Sequence, residues 1–391
     1  MPKNNSSETV DFNKARKQAA AKKIFKKLRI PIAILLIIAI ALIALAAVGD
    51  TRRSNVMDSF RSVPSTIGSS PGYPYNEDEL SLSKVLLIGD KPLIITENGL
   101  KVLSQEADEL NDLRLEWADT KAVSFNGRAF IFSNTSGKAY LISRTKTLAS
   151  FNESGTIVTA EVAKNGSVAF SSTTDTVQSV VSVFSPRQKL VFRLNCDRDY
   201  VSSLSLSPGG RRLLTASVNA ENAELYSTVS LYSTSKTEPK FETKLSGTAI
   251  IKVIYASANK FIAIGDNRAV VLNSDGEIVN EIKYSDDALY SVGRDKNGAA
   301  LLAYKEFGGS KIKLVNIPAT GKKLNEFELD YSPASIDFRD RKIACAVDNT
   351  VTVYSVRGNE KETYECEDTV SSVLIQSTGV YTLETGSVRK Y

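Results

Sequence analysis

The sequence predicts an all-β fold, an eight-bladed β-propeller, preceded by one N-terminal transmembrane helix. Three observations predict it. From about Leu82 to the C-terminus, short Val/Ile/Leu/Tyr/Phe alternations of period two recur, broken by turn residues every 8–12 positions. Within them a two-strand unit repeats at intervals of about 40 residues, with two further strands between one unit and the next. Ahead of all of this stands a run of 19 residues without a charge, Ile30 to Val48.

Residues 1–29 form a basic tail. They carry nine Lys/Arg against Glu8 and Asp11, a net of +7, whereas the whole chain is only +5. The remainder is therefore −2, nearly neutral. The basic pI thus describes a tail rather than a binding surface, and no nucleic-acid partner is expected. "FNKARKQAAAKKIFKKLR" within the tail reads first as an ordinary topology signal, with a basic helix lying against anionic lipid head groups of the cytoplasmic membrane as the alternative.

Residues 30–48, "IPIAILLIIAIALIALAAV", span roughly 28 Å as a helix, which is close to the hydrocarbon thickness of a bilayer. Pro31 falls in the first turn, where a missing N–H costs little. The flanking positive charge is concentrated on the N-terminal side. The tail is therefore expected to stay cytoplasmic and the C-terminal bulk to lie outside the cell membrane, as a single-pass protein. A cleaved signal peptide is the alternative, since "ALA" at Ala44–Ala46 resembles a cleavage site. The long n-region and long apolar stretch favour a retained anchor. Residues 49–79, rich in Ser, Pro and Gly, read as a stalk whose end is available to close the last blade.

Residues 80–391 are the propeller. Its repeating unit is seen in "SKVLLIGDKPLIITEN", "YVSSLSLSPGGRRLLTAS" and "TVSSVLIQSTGVYTLET"; eight such hairpins can be counted. Four antiparallel strands per period, a to d from the axis outward, bury both faces of each sheet against neighbouring blades. The last unit supplies only three strands, so "SPGYPYNEDE" is the candidate fourth, its prolines tolerable only on an outer edge. Seven blades is the alternative count.

This rhythm resembles the eight-bladed quinoprotein-like and WD40-like propellers over about 310 residues. Together, the basic tail, one span and a propeller without histidine resemble a family of bacterial single-pass membrane proteins with an extracytoplasmic propeller. No Gly-His/Trp-Asp signature recurs, and Trp117 is the only tryptophan, so no active site of those families carries over.

Histidine is absent from the chain, which removes Ser-His-Asp and Cys-His nucleophile systems, His-ligated zinc and haem with a proximal His. Cys196, Cys345 and Cys366 have no metal-site spacing. On the wheel they fall too far apart for disulfides, so three free thiols and no metal or cofactor are expected. "LNSDGEIV" and "GRDKNGAA" lack calcium-loop spacing and read as hairpin turns.

Antiparallel order puts the a–b and c–d turns at one end of every blade and the b–c turns and d–a connections at the other. Lys91, Arg128, Lys164, Arg211, Lys260, Arg294 and Arg341 give seven of eight a–b turns a cation. The d–a connections instead carry Glu77 to Glu79, Asp119, Glu153, the pair Asp197 and Asp199, the pair Asp286 and Asp287, Asp330, and the pair Glu367 and Asp368. From Asp119 onward these acids are the candidate binding residues, an acidic rim suited to a basic partner. The expected function is a non-enzymatic binding or scaffolding module for a cell-envelope component, with a protein partner. An envelope glycan hydrolase or lyase using rim carboxylates is the alternative, and a sensor signalling through the tail is a third reading.

Overall fold

The computed structural model of the chain describes residues 72–76, 84–96, 99–117, 119–286, 288–305, 308–309, 311–322, 324–377 and 379–391. The tail 1–29, the span 30–48 and the stalk up to residue 71 lie outside the described residues. Among those described, no helix is long and apolar enough to cross a membrane.

Eight four-stranded antiparallel sheets follow one another along the chain. Blades 1 to 7 are built from residues 84–114, 120–152, 157–196, 200–246, 250–283, 289–329 and 335–365, each running a to d in chain order. Blade 8 takes three strands from residues 372–390, and its outermost strand is Tyr75–Asn76 from the other end of the chain. The count is eight rather than seven, and the segment with the prolines is the closing edge: Tyr75 pairs with Val388 and Asn76 with Ser387. Pro74 sits just ahead of that strand, where no ladder bond is needed. The two neighbouring tyrosines peg the closure to blade 1. The Tyr73 hydroxyl donates to the Ser104 carbonyl at 2.9 Å and its ring packs 5.2 Å from that of Tyr381. The Tyr75 hydroxyl donates to the Glu109 carboxylate at 2.7 Å.

The burial gradient follows strand position. Strands b have partners on both edges and blades on both faces, so Arg128–Ser133 of blade 2 is buried at every residue. Strands d have one free edge and alternate, as in Glu109–Arg114. The core is accordingly a set of layers between blades. Between blades 2 and 3, Phe130 and Phe170 stack with centroids 5.4 Å apart, flanked by Phe151 and Phe184. Burying one such ring contributes roughly 1.5–3 kcal/mol.

Blade 4 departs from the pattern. Its b and c strands, Arg212–Glu221 and Glu224–Ser233, have 10 residues each, where those of the other blades have 4 to 6. The surplus projects beyond the disc as a two-stranded arm. Its turn is Asn222-Ala223, both with positive φ (51° and 65°), as a hairpin turn matched to strand twist requires. All six residues from Ala220 to Leu225 are exposed.

Cys196 ends strand d of blade 3, Cys345 lies in strand b of blade 7, and Cys366 follows strand d of that blade; all three are free. Burial pushes the thiols up to about 11, about 12 and about 11 respectively, so at neutral pH they are protonated and poor nucleophiles.

Candidate functional site

The acidic residues expected to bind sit where the sequence puts them, on the connections between blades, but they are not gathered into one site. Asp119 joins blades 1 and 2, exposed and with a left-handed φ of 52°. Glu153, between blades 2 and 3, is half-buried with its carboxylate 3.8 Å from the Arg193 guanidinium. Asp197 is exposed, whereas Asp199 beside it accepts a hydrogen bond from the Asn219 amide and so ties down the base of the blade 4 arm. Asp286 is exposed, and Asp287 lies outside the described residues, as do Glu77 to Glu79. Asp330 pairs with Lys311 at 3.0 Å. Glu367 pairs with Arg389 at 2.8 Å, and the Asp368 amide donates to Glu384. Among the described residues, no group of three or more Cys, Asp and Glu side chains is placed to hold a metal ion.

Exposed large apolar side chains occur at both ends of the disc: Leu190, Val191, Ile278 and Val279 begin d-strands at the turn end, and four others stand at the connection end. Tyr200 and Leu225 of blade 4, Ile251 of blade 5 and Tyr290 of blade 6 are 38–51% exposed. Tyr200 is the first residue of its a-strand, Ile251 and Tyr290 are second in theirs, and Leu225 is second in its c-strand. By the antiparallel order they all stand at the connection end of three consecutive blades, with Leu225 on the arm and Tyr200 paired with Val218 at its base.

The opposite, turn face uses much of its charge internally. The Asn126 amide of blade 2 donates to the Lys164 carbonyl of blade 3, and that of Asn165 to the Gly209 carbonyl of blade 4, both at 2.8 Å. Arg128, expected as a turn cation, is buried and donates to the Gly166 and Pro186 carbonyls of the next blade. Arg212 reaches the Ala258 carbonyl of blade 5 at 3.2 Å. Lys296 pairs with Asp340 of blade 7 at 2.6 Å, and Arg144 with Asp90 of blade 1 at 3.3 Å. Between blades 5 and 6 the approach is so close that a Cβ at Gly298, whose φ is 86°, would stand 2.2 Å from the Ala256 carbonyl oxygen. Both calcium-loop look-alikes are hairpin turns closed by their own side chains: Asp295 accepts from the Asn297 and Ala299 amides, and Asn273 from the Asp275 and Glu277 amides.

On this face the central channel opens into a cavity of about 700 Å³, walled by the ends of a-strands and by a–b turns. Arg294 at the end of strand a of blade 6 reaches across the axis. It forms an ion pair with Glu161 of blade 3, which is buried, and its guanidinium lies 5.3 Å from the Phe125 ring centroid of blade 2. Ser205 of blade 4 stands 3.5 Å from each member of the pair. Arg339 of blade 7 donates to the Gly89 carbonyl of blade 1 at 2.6 Å. Asp337 accepts from the Ile375 amide at 2.6 Å, and burial holds its carboxyl above the ordinary carboxylate range despite Arg339.

Reasoning from the sequence did not single out Glu161, Asp337 or Arg339. The available signal was a charge inside an otherwise apolar first strand, in "IVTAEV" and "SIDFR".

Known structures agree with the architecture. Sqt1 of Saccharomyces cerevisiae is similar with a TM-score of 0.56 at 13% identity, over 83% of this chain and 99% of that one. BamB of Moraxella catarrhalis is similar with a TM-score of 0.53 at 9% identity, over 82% and 98%. Apo AztD of Citrobacter koseri is similar with a TM-score of 0.52 at 10% identity, over 77% and 87%. At such identities the likeness is one of fold. No curated protein matches the chain in sequence. A family model does match, over residues 74–390, from the closing strand to the penultimate residue, and the chain belongs to DUF5711, a family of unknown function.

Proposed function

We propose that the chain is a membrane-tethered binding module, its propeller outside the cytoplasmic membrane, whose connection face docks a basic protein segment of another envelope component. The tether and its orientation are read from the uncharged run 30–48 and the basic residues before it. The observation that carries the docking face is the set Tyr200, Leu225, Ile251 and Tyr290, exposed on blades 4 to 6 beside an arm that ends in Glu221 and Glu224. Apolar side chains supply the buried centre of an interface, and the carboxylates around them supply orientation and a preference for a positive partner.

The glycan-cleaving alternative needs two carboxyl groups flanking one bond, one of them kept protonated. Asp337 has the raised pKa, but Glu161 is committed to Arg294. That commitment favours binding over cleavage.

The test is in-cell crosslinking of the N-terminally tagged full chain in its native membrane, with mass spectrometry of crosslinked peptides. The expected result joins the arm to a Lys/Arg-rich segment of one reproducible partner. It is lost in Leu225→Asp with Ile251→Asp, and weakened by Asp197→Lys with Asp286→Lys. No protein crosslinked to this face, or capture indifferent to these changes, overturns the reading.

A further inference from the structure

We propose that the central cavity on the turn face is a binding site for a small organic anion, a carboxylate- or phosphate-bearing molecule. Its volume, about 700 Å³, lies within the range of roughly 300–1,000 Å³ typical of small-molecule sites. Five cations line it, Arg144, Lys164, Arg294, Lys296 and Arg339, against three acids, Asp90, Asp337 and Asp340, and with Glu161, which pairs with Arg294, the balance is +1.

The pairing within the wall says where that surplus is free to act. Arg144 is matched by Asp90 and Lys296 by Asp340, so these four neutralise one another. Arg294 spends one terminal nitrogen on Glu161, yet its Nε is buried with no hydrogen-bond partner. Among the described residues, Arg339 donates to the Gly89 carbonyl and lies near Asp337. Lys164 is exposed at the rim, and its ammonium has no partner among the described residues. The Arg339 guanidinium and the Lys164 ammonium therefore offer donors to one space, beside the Arg294 guanidinium that Glu161 holds in its wall, and planar guanidinium groups suit carboxylate and phosphate geometry. Asp337 is turned to the Ile375 amide, from which it accepts a hydrogen bond at 2.6 Å, and burial raises its carboxyl above the ordinary carboxylate range.

The remaining wall is apolar. Phe125 and Phe338, with Leu86 and Leu374, offer surface to the carbon part of a ligand, which favours an organic anion over a bare inorganic ion. The Arg294–Glu161 pair bridges the axis between blades 6 and 3, so a ligand enters from the turn face. The site is distinct from the docking surface, which lies at the other end of the disc.

The experiment uses the full chain in an uncharged detergent and measures binding of glucuronate and glucose 6-phosphate against neutral glucose, by calorimetry and saturation-transfer NMR. The expected result is one saturable site for at least one of the two anions, and the arms tell carboxylate from phosphate. Affinity falls about tenfold in Arg339→Gln and in Lys164→Gln, the size of one charge-assisted contact, and it weakens with added salt. Lys236→Gln, an exposed cation on an outer turn of the same face, leaves affinity unchanged. Lys164 is exposed, so its variant keeps the test decisive if Arg339→Gln fails to fold. Absence of saturable binding by both anions, equal binding of glucose, or equal loss in Lys236→Gln overturns the proposal.

Discussion

The two ends of the disc are made by the same repeat and behave as opposites. At the turn end, side chains of one blade bond the backbone of the next, at Asn126, Arg128, Asn165 and Arg212. At the connection end, most rim acids meet solvent or a nearby lysine or arginine, and an arm from one blade breaks the symmetry. The difference teaches that charge on a propeller face has two meanings. A cation at the start of a b-strand is within reach of its neighbour's turn carbonyl and becomes part of the frame. A carboxylate on a connection instead meets solvent, as Asp197 does, or a nearby cation or amide, as Asp330 and Asp199 do. Both ends contribute to the frame, the connection end through bonds such as Arg268 to the Ser246 carbonyl, and in our reading partnership falls to the connection end.

Four measurements break or sharpen that contrast. The largest effect is expected from Arg294→Met, which strands Glu161 in the channel without its cation. A loss of about 3 kcal/mol in urea unfolding is expected, much of it recovered by adding Glu161→Gln. A loss under about 1 kcal/mol would mean that the bridge is not structural. Arg128→Met removes a buried donor to two carbonyls of blade 3 and should cost about 2 kcal/mol by the same assay.

Asp337 gives a smaller, pH-dependent effect. Its folded-state pKa is raised, so the native state binds more protons than the unfolded one. Its contribution is then fully present at acid pH and is lost as pH rises above the ordinary carboxylate range. Asp337→Asn, which keeps an acceptor for the Ile375 amide, should raise the thermal midpoint near neutral pH and show no such decline. A wild type and variant with parallel pH profiles would contradict this. The smallest stability effect belongs to the arm. Replacing residues 219–226 with Asn-Gly should cost about 1 kcal/mol or less, since the segment is largely exposed, while abolishing the crosslinks to a partner. A large destabilisation would make the arm part of the frame.

Much of the fold was legible because its signals are local. Apolar alternation and turn residues mark each hairpin, and the missing fourth strand of the last unit pointed to "SPGYPYNEDE", which does close the ring. The rim acids were placeable for the same reason, each lying on a connection of known position. The cavity was not legible, because ring closure makes it from residues remote in sequence. Glu161 and Arg294 are 133 positions apart, and Arg339 and Gly89 are 250. Arg128 shows the other limit. Its residue type fits a solvated turn and a buried seam equally well, and only the proximity of the next blade decides between them.

The closing strand has a mechanical meaning. Among the described residues the closing strand is Tyr75–Asn76, and the chain that leads into it is the one that comes from the N-terminal side. Tension arriving at Gly72 is borne first by the Tyr75–Val388 and Asn76–Ser387 pairs, reinforced by the pegs at Tyr73 and Tyr75. Once those part, the same pull is inherited by strand a of blade 1, whose Leu86 and Leu87 form part of the cavity wall. The lead and the fastener are one piece of chain, so a load on the lead has a defined place to yield, the joint between blades 8 and 1, at the edge of the central cavity.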